Sequence, residues 1–314
     1  MPRTILDPKI LRSLVPALSF AVLLGAIFYV QPRTMSYFGL NLMLNLALPI
    51  AFATIAQMFI LTVNDLDLSI GSFVSLVACI TATWLNEAPL LGVVALLGCI
   101  AAYAALGALI HLRNLPSIVV TLGMSFVWSG CAILLLPSPG GSAPDWLSGL
   151  VKFRMPFIPF SILASLILGL IVHFALMRSA TGAVLRGSGG NPQAVERAGW
   201  SLLKTKVTMY ALAGFFGVMS GMILVGTTTS ADANIALRYT LFSIAGVILG
   251  GGEFTGGRVS PIGAILGALT LALVGSLLSF LRISPEWQIG AQGIILIVVL
   301  ALRSLVNRLE ERQA

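Results

Sequence analysis

R-S-A-T-G-A-V-L-R-G-S-G-G-N-P-Q-A-V-E-R-A-G-W-S-L-L-K-T-K, residues 178–206, is the longest polar interval in an otherwise very apolar chain. It predicts a short helix with both ends marked. Asn191 is a preferred N-cap residue, and Pro192 at the first helical position fixes φ where no N–H is required. Gly199 stands where a left-handed residue commonly ends a helix. The rest of the chain is arranged around this interval.

The predicted helix is only about two turns long. Because helices below roughly 12 residues are marginal alone in water, we expect it to pack against another surface. Ala194, Val195 and Ala198 supply an apolar side of this helix. Two interpretations are open: a capped helix within a loop, or a docking helix for a soluble partner. The residues assigned to docking are Gly190, Asn191, Pro192, Ala194, Val195, Glu196 and Gly199.

The composition indicates a membrane protein. Hydrophobic residues make up 58% of the 314 residues and charged residues 9%, whereas soluble domains carry about 25% charged residues. We therefore predict an all-α polytopic membrane protein with one transmembrane domain over residues 1–314. The net charge of +7 does not indicate nucleic-acid binding. The basic residues cluster at the ends of apolar runs, which is how topology is set in a bilayer.

Apolar runs of roughly 20 residues are candidate membrane spans, and the chain contains about ten. The third and the eighth are short enough to be tilted or broken. The predicted spans are Leu14–Val30, Leu42–Val63, Ile70–Leu85, Leu90–Ile110, Ile118–Leu136, Phe157–Met177, Val207–Thr227, Leu241–Gly251, Ile262–Leu281 and Ile289–Leu302.

Glycines four residues apart recur within these runs and predict transmembrane helices that approach closely. This is a packing signal and carries no information on a substrate. The pairs are Gly217 and Gly221, Gly246 and Gly250, and Gly263 and Gly267.

The distribution of basic residues predicts the orientation. With the N-terminus in the cytoplasm and every span crossing, 13 of the 18 Lys and Arg residues fall on the cytoplasmic side. Such a bias is strongly positive-inside. The interval 178–206 and both termini are then cytoplasmic. No small-residue cleavage site follows the first basic residues, so we expect the first run to remain as an anchor.

A first polar interruption, N-D-L-D-L-S, occupies Asn64–Ser69 between two predicted spans. A charged side chain at the bilayer centre costs about 2.5–3.5 kcal/mol on insertion scales, so Asp65 and Asp67 are not expected to face lipid. We expect either a capping turn, in which Ser69 caps the next helix, or the wall of a wet pathway.

A second interruption, G-G-G-E-F-T-G-G-R-V-S-P, occupies Gly250–Pro261, and its acidic and basic residues are expected to neutralise each other. Broken helices at membrane depth are tolerated only beside protein or water, and in transporters they often flank the solute's route. The alternation places both interruptions near the same face. The residues assigned to a pathway or gate are Asn64, Asp65, Asp67, Ser69, Glu253, Thr255 and Arg258.

Motifs for catalysis are lacking. Gly252–Val259 superficially matches a phosphate loop, but Arg258 replaces the lysine, and Val259 replaces the Ser or Thr that would hold magnesium. No cysteine or histidine spacing resembles a metal site. The sequence therefore predicts no catalytic residue, no metal and no cofactor. If transport is driven by ATP, another polypeptide must hydrolyse it.

Four segments together resemble one family, the permease subunits of bacterial ATP-binding-cassette sugar importers of the ribose/xylose/arabinose/galactose group. The resemblance covers nearly the whole chain. Asn64 and Asp65 depart from the family, which usually has two glycines there, and this bears on the identity of the solute. The four segments are L-D-L-S-I-G (Leu66–Gly71), L-P-S-I-V-V-T-L-G-M (Leu115–Met124), G-G-N-P-Q-A-V-E-R-A-G (Gly189–Gly199) and T-G-G-R-V-S (Thr255–Ser260).

The resemblance implies a vitamin-B12-permease-like fold in the bacterial inner membrane and a subunit that is not itself an enzyme. It implies that two permease copies enclose one pathway and work by alternating access. A cytoplasmic ATPase subunit would seat the helix at 191–199, within a cytoplasmic coupling loop at 178–206. A periplasmic solute-binding protein would deliver a monosaccharide-like solute.

Two rival hypotheses remain open. An ion-coupled secondary transporter of a polar solute would place Asp67 or Glu253 at mid-membrane to carry the ion. A structural or receptor-like membrane scaffold would move no solute.

Overall fold

The structure is a computed structural model that describes residues 8–153, 158–254 and 256–284, together with positions 287, 290, 291, 293, 294 and 297. Throughout this described part the chain is helical between its turns and connections. An antiparallel bridge between Gly140 and Ala231 ties two of the connections together. The all-helical class predicted from the sequence is confirmed for these residues.

The helices are labelled in chain order. A 3-10 turn, Pro32–Met35, precedes α2, and a π-helical turn, Phe174–Arg178, extends α9. The α-helices are α1 Pro8–Val30, α2 Tyr37–Asn45, α3 Ala47–Thr62, α4 Ile70–Ala82, α5 Trp84–Glu87, α6 Pro89–Leu112, α7 Ser117–Leu135, α8 Asp145–Val151, α9 Phe160–His173, α10 Ala180–Gly190, α11 Pro192–Arg197, α12 Leu202–Thr228, α13 Tyr239–Leu249 and α14 Pro261–Phe280.

Nine of the predicted spans coincide with helices, and the tenth, Ile289–Leu302, lies largely outside the described residues. Within the described part, six helical segments are long and apolar enough to cross a membrane. A seventh is added if α2 and α3 count as one bent span. A polytopic arrangement is therefore supported by length and composition, and the number of ten crossings stays a prediction.

Two of the predicted spans are interrupted. The predicted span Ile70–Leu85 divides at Thr83 into α4 and α5, in keeping with its predicted shortness. α2 and α3 meet at an angle of 41°, whereas the sequence predicted one continuous span there. Apolar residues continue on both sides of this bend, at Leu44 and from Leu46 to Leu48, so the apolar run itself did not mark it.

The buried centre of the bundle is formed by α3, α4 and α12. Nearly every residue of α3 is buried, and α12 packs against α3, α4 and α6. In contrast, only 17% of α7 is buried, and its exposed side chains are mostly apolar. A helix that is apolar on its exposed side as well is typical of a membrane environment.

Glycines allow α13 and α14 to touch through their backbones, as their spacing predicted. A Cβ added at Gly263 would overlap the carbonyl oxygen of Gly250, and one added at Gly267 would overlap that of Gly246. No side chain fits between these helices at Gly250, Gly263 and Gly267, so this contact depends on glycine at these three positions.

We predict that Gly263→Ala destabilises the folded protein, because overpacking a tight contact costs about 1–3 kcal/mol or more. The measurement is the thermal unfolding midpoint of the detergent-purified protein. Gly123→Ala is the matched control, since a Cβ at Gly123 in α7 meets no atom within 4 Å. Equal midpoints for the two variants would contradict the proposed close contact.

Candidate functional site

The start of α11 is built as the sequence predicted. The Asn191 side-chain oxygen Oδ1 accepts a hydrogen bond from the Ala194 backbone N–H at 3.1 Å, and Pro192 is the first helical residue. The cap satisfies an amide that lacks an intrahelical partner at a helix start. The N-terminal boundary is therefore encoded locally.

The end of α11 is also as predicted. Gly199 has a left-handed φ of +84°. The Trp200 N–H donates to the Val195 carbonyl at 3.1 Å, and the Gly199 N–H donates to the Glu196 carbonyl at 2.9 Å. This pair of hydrogen bonds is the Schellman motif that commonly terminates helices at glycine.

The predicted apolar side of α11 is divided between two environments. Val195 is buried with 8% of its surface exposed, and its side chain lies 3.1 Å from the position that a Cβ on Gly187 would take. Ala194 and Ala198 are exposed, and Trp200 beyond them is 52% exposed. α11 therefore packs against α10 through Val195, and the small side chains of its alanines are exposed.

The sequence missed a second helix in the polar interval. α10 begins at Ala180 and is capped by Ser179, whose hydroxyl accepts a hydrogen bond from the Gly182 N–H at 2.8 Å. α12 likewise starts inside the interval, at Leu202, rather than at the predicted Val207. Glycine lowers intrinsic helix propensity by about 1 kcal/mol relative to Ala, and the four glycines of α10 concealed it. Ser179 and Ser201 are the capping signals that mark both starts.

Asp65 lies in the α3–α4 connection, residues 63–69, and is paired with α12. Its Oδ2 atom lies 2.8 Å from the Lys206 Nζ atom and accepts a hydrogen bond from the Tyr210 hydroxyl at 3.0 Å. The exposed fractions of the Lys206 and Asp65 side chains are 18% and 10%. Nothing in the sequence pattern pointed to this pair, because its members are far apart along the chain.

Asp67 is fully buried and fully bonded. Its Oδ1 atom accepts hydrogen bonds from the Ser69 N–H at 2.6 Å and the Ser69 hydroxyl at 2.7 Å, and its Oδ2 atom accepts one from the Tyr103 hydroxyl at 2.7 Å. The Gln57 amide meets the Asp67 backbone N–H and carbonyl at 3.2 and 3.1 Å. Burial raises the pKa of Asp67 above its ordinary value, and the hydrogen bonds from Ser69 and Tyr103 oppose this rise.

Ser69 occupies the N-cap position of α4 without capping it through its side chain, so the predicted capping role is wrong. Its hydroxyl is instead used by Asp67. The Gly71 N–H at the start of α4 donates to the Thr240 hydroxyl of α13 at 3.0 Å. A residue distant in sequence therefore supplies the acceptor that a local cap usually provides.

Two of the segments on which the family resemblance rests, Leu66–Gly71 and Leu115–Met124, meet through hydrogen bonds. The Leu66 N–H donates to the Ser117 hydroxyl at 3.2 Å, and the Leu68 N–H donates to the Thr121 hydroxyl at 3.1 Å. The start of α7 therefore satisfies the open backbone of the α3–α4 connection. Buried backbone groups need such partners, because an unpaired one is costly.

The second interruption contains the predicted ion pair. Arg258 and Glu253 lie 3.3 Å apart, and the arginine side chain is 71% exposed. Thr255 lies outside the described residues. A polar groove of about 680 Å³ separates this loop from α10, and Arg186, Glu253 and Arg258 are its charged lining residues.

Three segments converge at one place, which we call the Thr62 junction: Thr62, Asn64, Gly189, Gly256 and Gly257. The Gly257 N–H donates to the Thr62 carbonyl at 2.9 Å. A Cβ at Gly189 would overlap the same carbonyl, and a Cβ at Gly256 would lie 2.9 Å from the Asn64 Cβ. The prediction that both interruptions lie near the same face is thus confirmed, and α10 joins them there.

We predict that Tyr103→Phe lowers stability by about 1–3 kcal/mol, because it leaves a buried carboxylate oxygen without one of its donors. Thermal unfolding in detergent measures this loss. Tyr29→Phe is the control, since Tyr29 is 89% exposed. A midpoint for the Tyr103 variant that equals the control's would show that the hydroxyl contributes nothing to the fold.

A bundle of apolar helices whose broken connections meet at the Thr62 junction is consistent with a polytopic membrane permease. The family model described as "Branched-chain amino acid transport system / permease component" matches residues 39–300. The chain therefore belongs to this family of permease components. No solved structure matches the chain significantly.

Curated relatives include importer permeases for sugars. The galactose/methyl galactoside import permease protein MglC of Escherichia coli is 27% identical, over 90% of this chain and 91% of that protein. The ribose import permease protein RbsC of Haemophilus influenzae is 25% identical, over 91% and 92% of the two chains. The autoinducer 2 import system permease protein LsrC of Salmonella typhi is 29% identical, over 93% and 86%.

These comparisons confirm the resemblance to sugar-importer permeases. Permease components are the non-catalytic transport parts of such systems, so the family also confirms that this chain is not an enzyme. Together with its long apolar helices, the family identifies a multi-pass membrane protein.

Proposed function

We propose that this chain is the transmembrane permease subunit of an ATP-driven importer for a monosaccharide-like solute. Its family supports a permease. Relatives named for galactose and ribose import support a sugar-like solute. In this proposal residues 1–314 form one permease domain, and residues 178–206 are its coupling loop.

One observation carries the coupling part of this proposal, namely the construction of α11. The helix is capped at both ends and held to its own chain through Val195. Its alanines, Ala194 and Ala198, face outward and leave room for the groove of a partner. In the proposal the partner is a cytoplasmic ATPase subunit that binds residues 190–199.

The remaining parts of the assembly follow the same proposal. The chain lies in the bacterial inner membrane with both termini in the cytoplasm, as the positive-inside bias indicates. Two permease copies enclose one pathway in a vitamin-B12-permease-like fold, and a periplasmic solute-binding protein delivers the solute. ATP binding draws the two α11 helices together, and the pathway opens to alternate sides.

The residues at the two interruptions are proposed as parts of a gate rather than as solute contacts. Asp67 and Ser69 are buried inside one copy with their polar atoms bonded. Asn64 belongs to the Thr62 junction, where the backbones of the interruptions touch. Glu253 and Arg258 line the groove beside α10, and Thr255 is assigned to the same loop. Movement of the junction would open or close the pathway at this end.

The docking role predicts that Ala194→Glu combined with Ala198→Glu abolishes ATPase binding and uptake, because two bulky charges would block a closely packed helix face. The measurements are co-purification of the partner ATPase subunit and solute uptake into proteoliposomes. Ala88→Glu, at an exposed alanine between α5 and α6 and outside residues 178–206, is the control. Intact assembly and uptake in the double variant would refute docking through α11.

The rival hypothesis, an ion-coupled transporter, would take its energy from an ion gradient, and the buried side chain of Asp67 is the observation that favours it. For the ATP-driven importer, in contrast, we expect uptake in cells to stop on ATP depletion. Uptake should persist when an uncoupler collapses the proton gradient while ATP is maintained. The opposite result, with uptake lost only to the uncoupler, would replace the ATP-driven mechanism with the ion-coupled one.

A further inference from the structure

We infer that the ion pair between Asp65 and Lys206 is the link that passes movement of α11 to the α3–α4 connection. This inference rests on the proposed ATP-driven function and assigns positioning roles to two residues. Asp65 then neither binds the solute nor lines its route. It holds the connection to the helix that follows the coupling segment.

The geometry of the pair is that of a built contact. The two charged groups are 2.8 Å apart and both side chains are mostly buried. The Tyr210 hydroxyl donates to the same carboxylate oxygen at 3.0 Å. Tyr210 follows Lys206 by one helical turn, so both donors lie on one face of α12. Its ring is also in contact distance of Gly107 in α6, which anchors the group to the core.

The ion pair between Glu253 and Arg258 differs from it in sequence separation and in burial. Glu253 and Arg258 are only five residues apart, and Arg258 is largely exposed. Exposed pairs contribute little, because water screens them. Asp65 and Lys206 instead join two distant parts of the sequence inside the protein, where removal of one partner leaves an unpaired charge.

On one side, the link leads to α11 over a short length of chain. Lys206 lies in the second turn of α12, and α12 is capped by Ser201, whose hydroxyl accepts from the Lys204 N–H at 3.3 Å. Ser201 directly follows Trp200, which closes the end of α11 through its bond to Val195. A displacement of α11 therefore reaches Lys206 through capped helix ends rather than through an open loop.

On the other side, the link leads into the bundle. In the same connection as Asp65, the backbone N–H groups of Leu66 and Leu68 donate hydrogen bonds to α7. Asp67 accepts a hydrogen bond from Tyr103 of α6. Movement of Asp65 therefore acts on two long helices at once. The backbone contacts of the Thr62 junction hold the same region through close packing, and the ion pair adds a charged link between α12 and this connection.

The test uses the full complex with its ATPase and solute-binding protein, reconstituted in proteoliposomes. The first variant is Asp65→Asn with Lys206→Met, which removes the link without leaving an unpaired charge. We expect normal ATPase binding and ATP hydrolysis, and a drop of about tenfold in solute moved per ATP, in the range of typical coupling effects. Arg113→Met, at an exposed basic residue that ends α6 and lies outside residues 178–206, should leave this ratio unchanged.

A charge reversal provides the second arm. Asp65→Lys alone and Lys206→Asp alone should each lower the amount of solute moved per ATP. The double variant should regain most of the wild-type ratio. A neutral double variant that folds and keeps the wild-type ratio would overturn the inference. So would a reversed pair that stays as uncoupled as the single variants while remaining folded.

These outcomes are separate from a failure of the proposed function. If the wild-type complex shows no ATP-dependent uptake, or if the α11 double-glutamate variant still assembles, the proposed function itself is wrong. If the wild type transports and α11 docks, but the neutral double variant stays coupled, only the role of the ion pair fails.

Discussion

A transmembrane bundle cannot leave broken helices open to lipid, because hydrocarbon offers no hydrogen-bond partner for exposed backbone groups. This chain has such breaks between α3 and α4 and between α13 and α14, and both are closed from within. The Thr62 carbonyl receives the Gly257 N–H. The Leu66 and Leu68 N–H groups are received by hydroxyls of α7. The rest of the architecture depends on these closures.

Closing the breaks at one place requires backbones to approach each other more nearly than side chains permit. Gly189 touches Thr62 where a Cβ would overlap the carbonyl, and Gly250 and Gly263 meet in the same way between α13 and α14. The glycines of the polar interval are therefore packing residues as much as turn residues. They draw α10, and with it the adjoining helix α11, against the point where the helices are interrupted. In this way a surface helix and an interior discontinuity become neighbours.

Local chemistry was predictable where the signal lay within a few residues. The cap at Asn191, the proline after it and the glycine end at Gly199 all act over one or two turns, and the structure has each of them. The apolar runs likewise predicted most helices, since burial in lipid requires long uninterrupted apolar stretches. α10 escaped because its glycines lower helix propensity, while packing against the π-helical turn compensates for it.

The amino-acid sequence by itself determined the membrane class, the helical spans and the capped helix α11, because hydropathy and capping depend on residues close together along the chain. Only the tertiary structure decided the partners of the polar residues. Asp65 is paired with Lys206 and Tyr210. The Ser69 hydroxyl donates to Asp67 instead of capping α4, and the Thr240 hydroxyl of α13 accepts from the first turn of α4. A carboxylate or hydroxyl accepts any donor of suitable geometry, so its choice depends on which helices lie beside it, and packing between distant segments determines that.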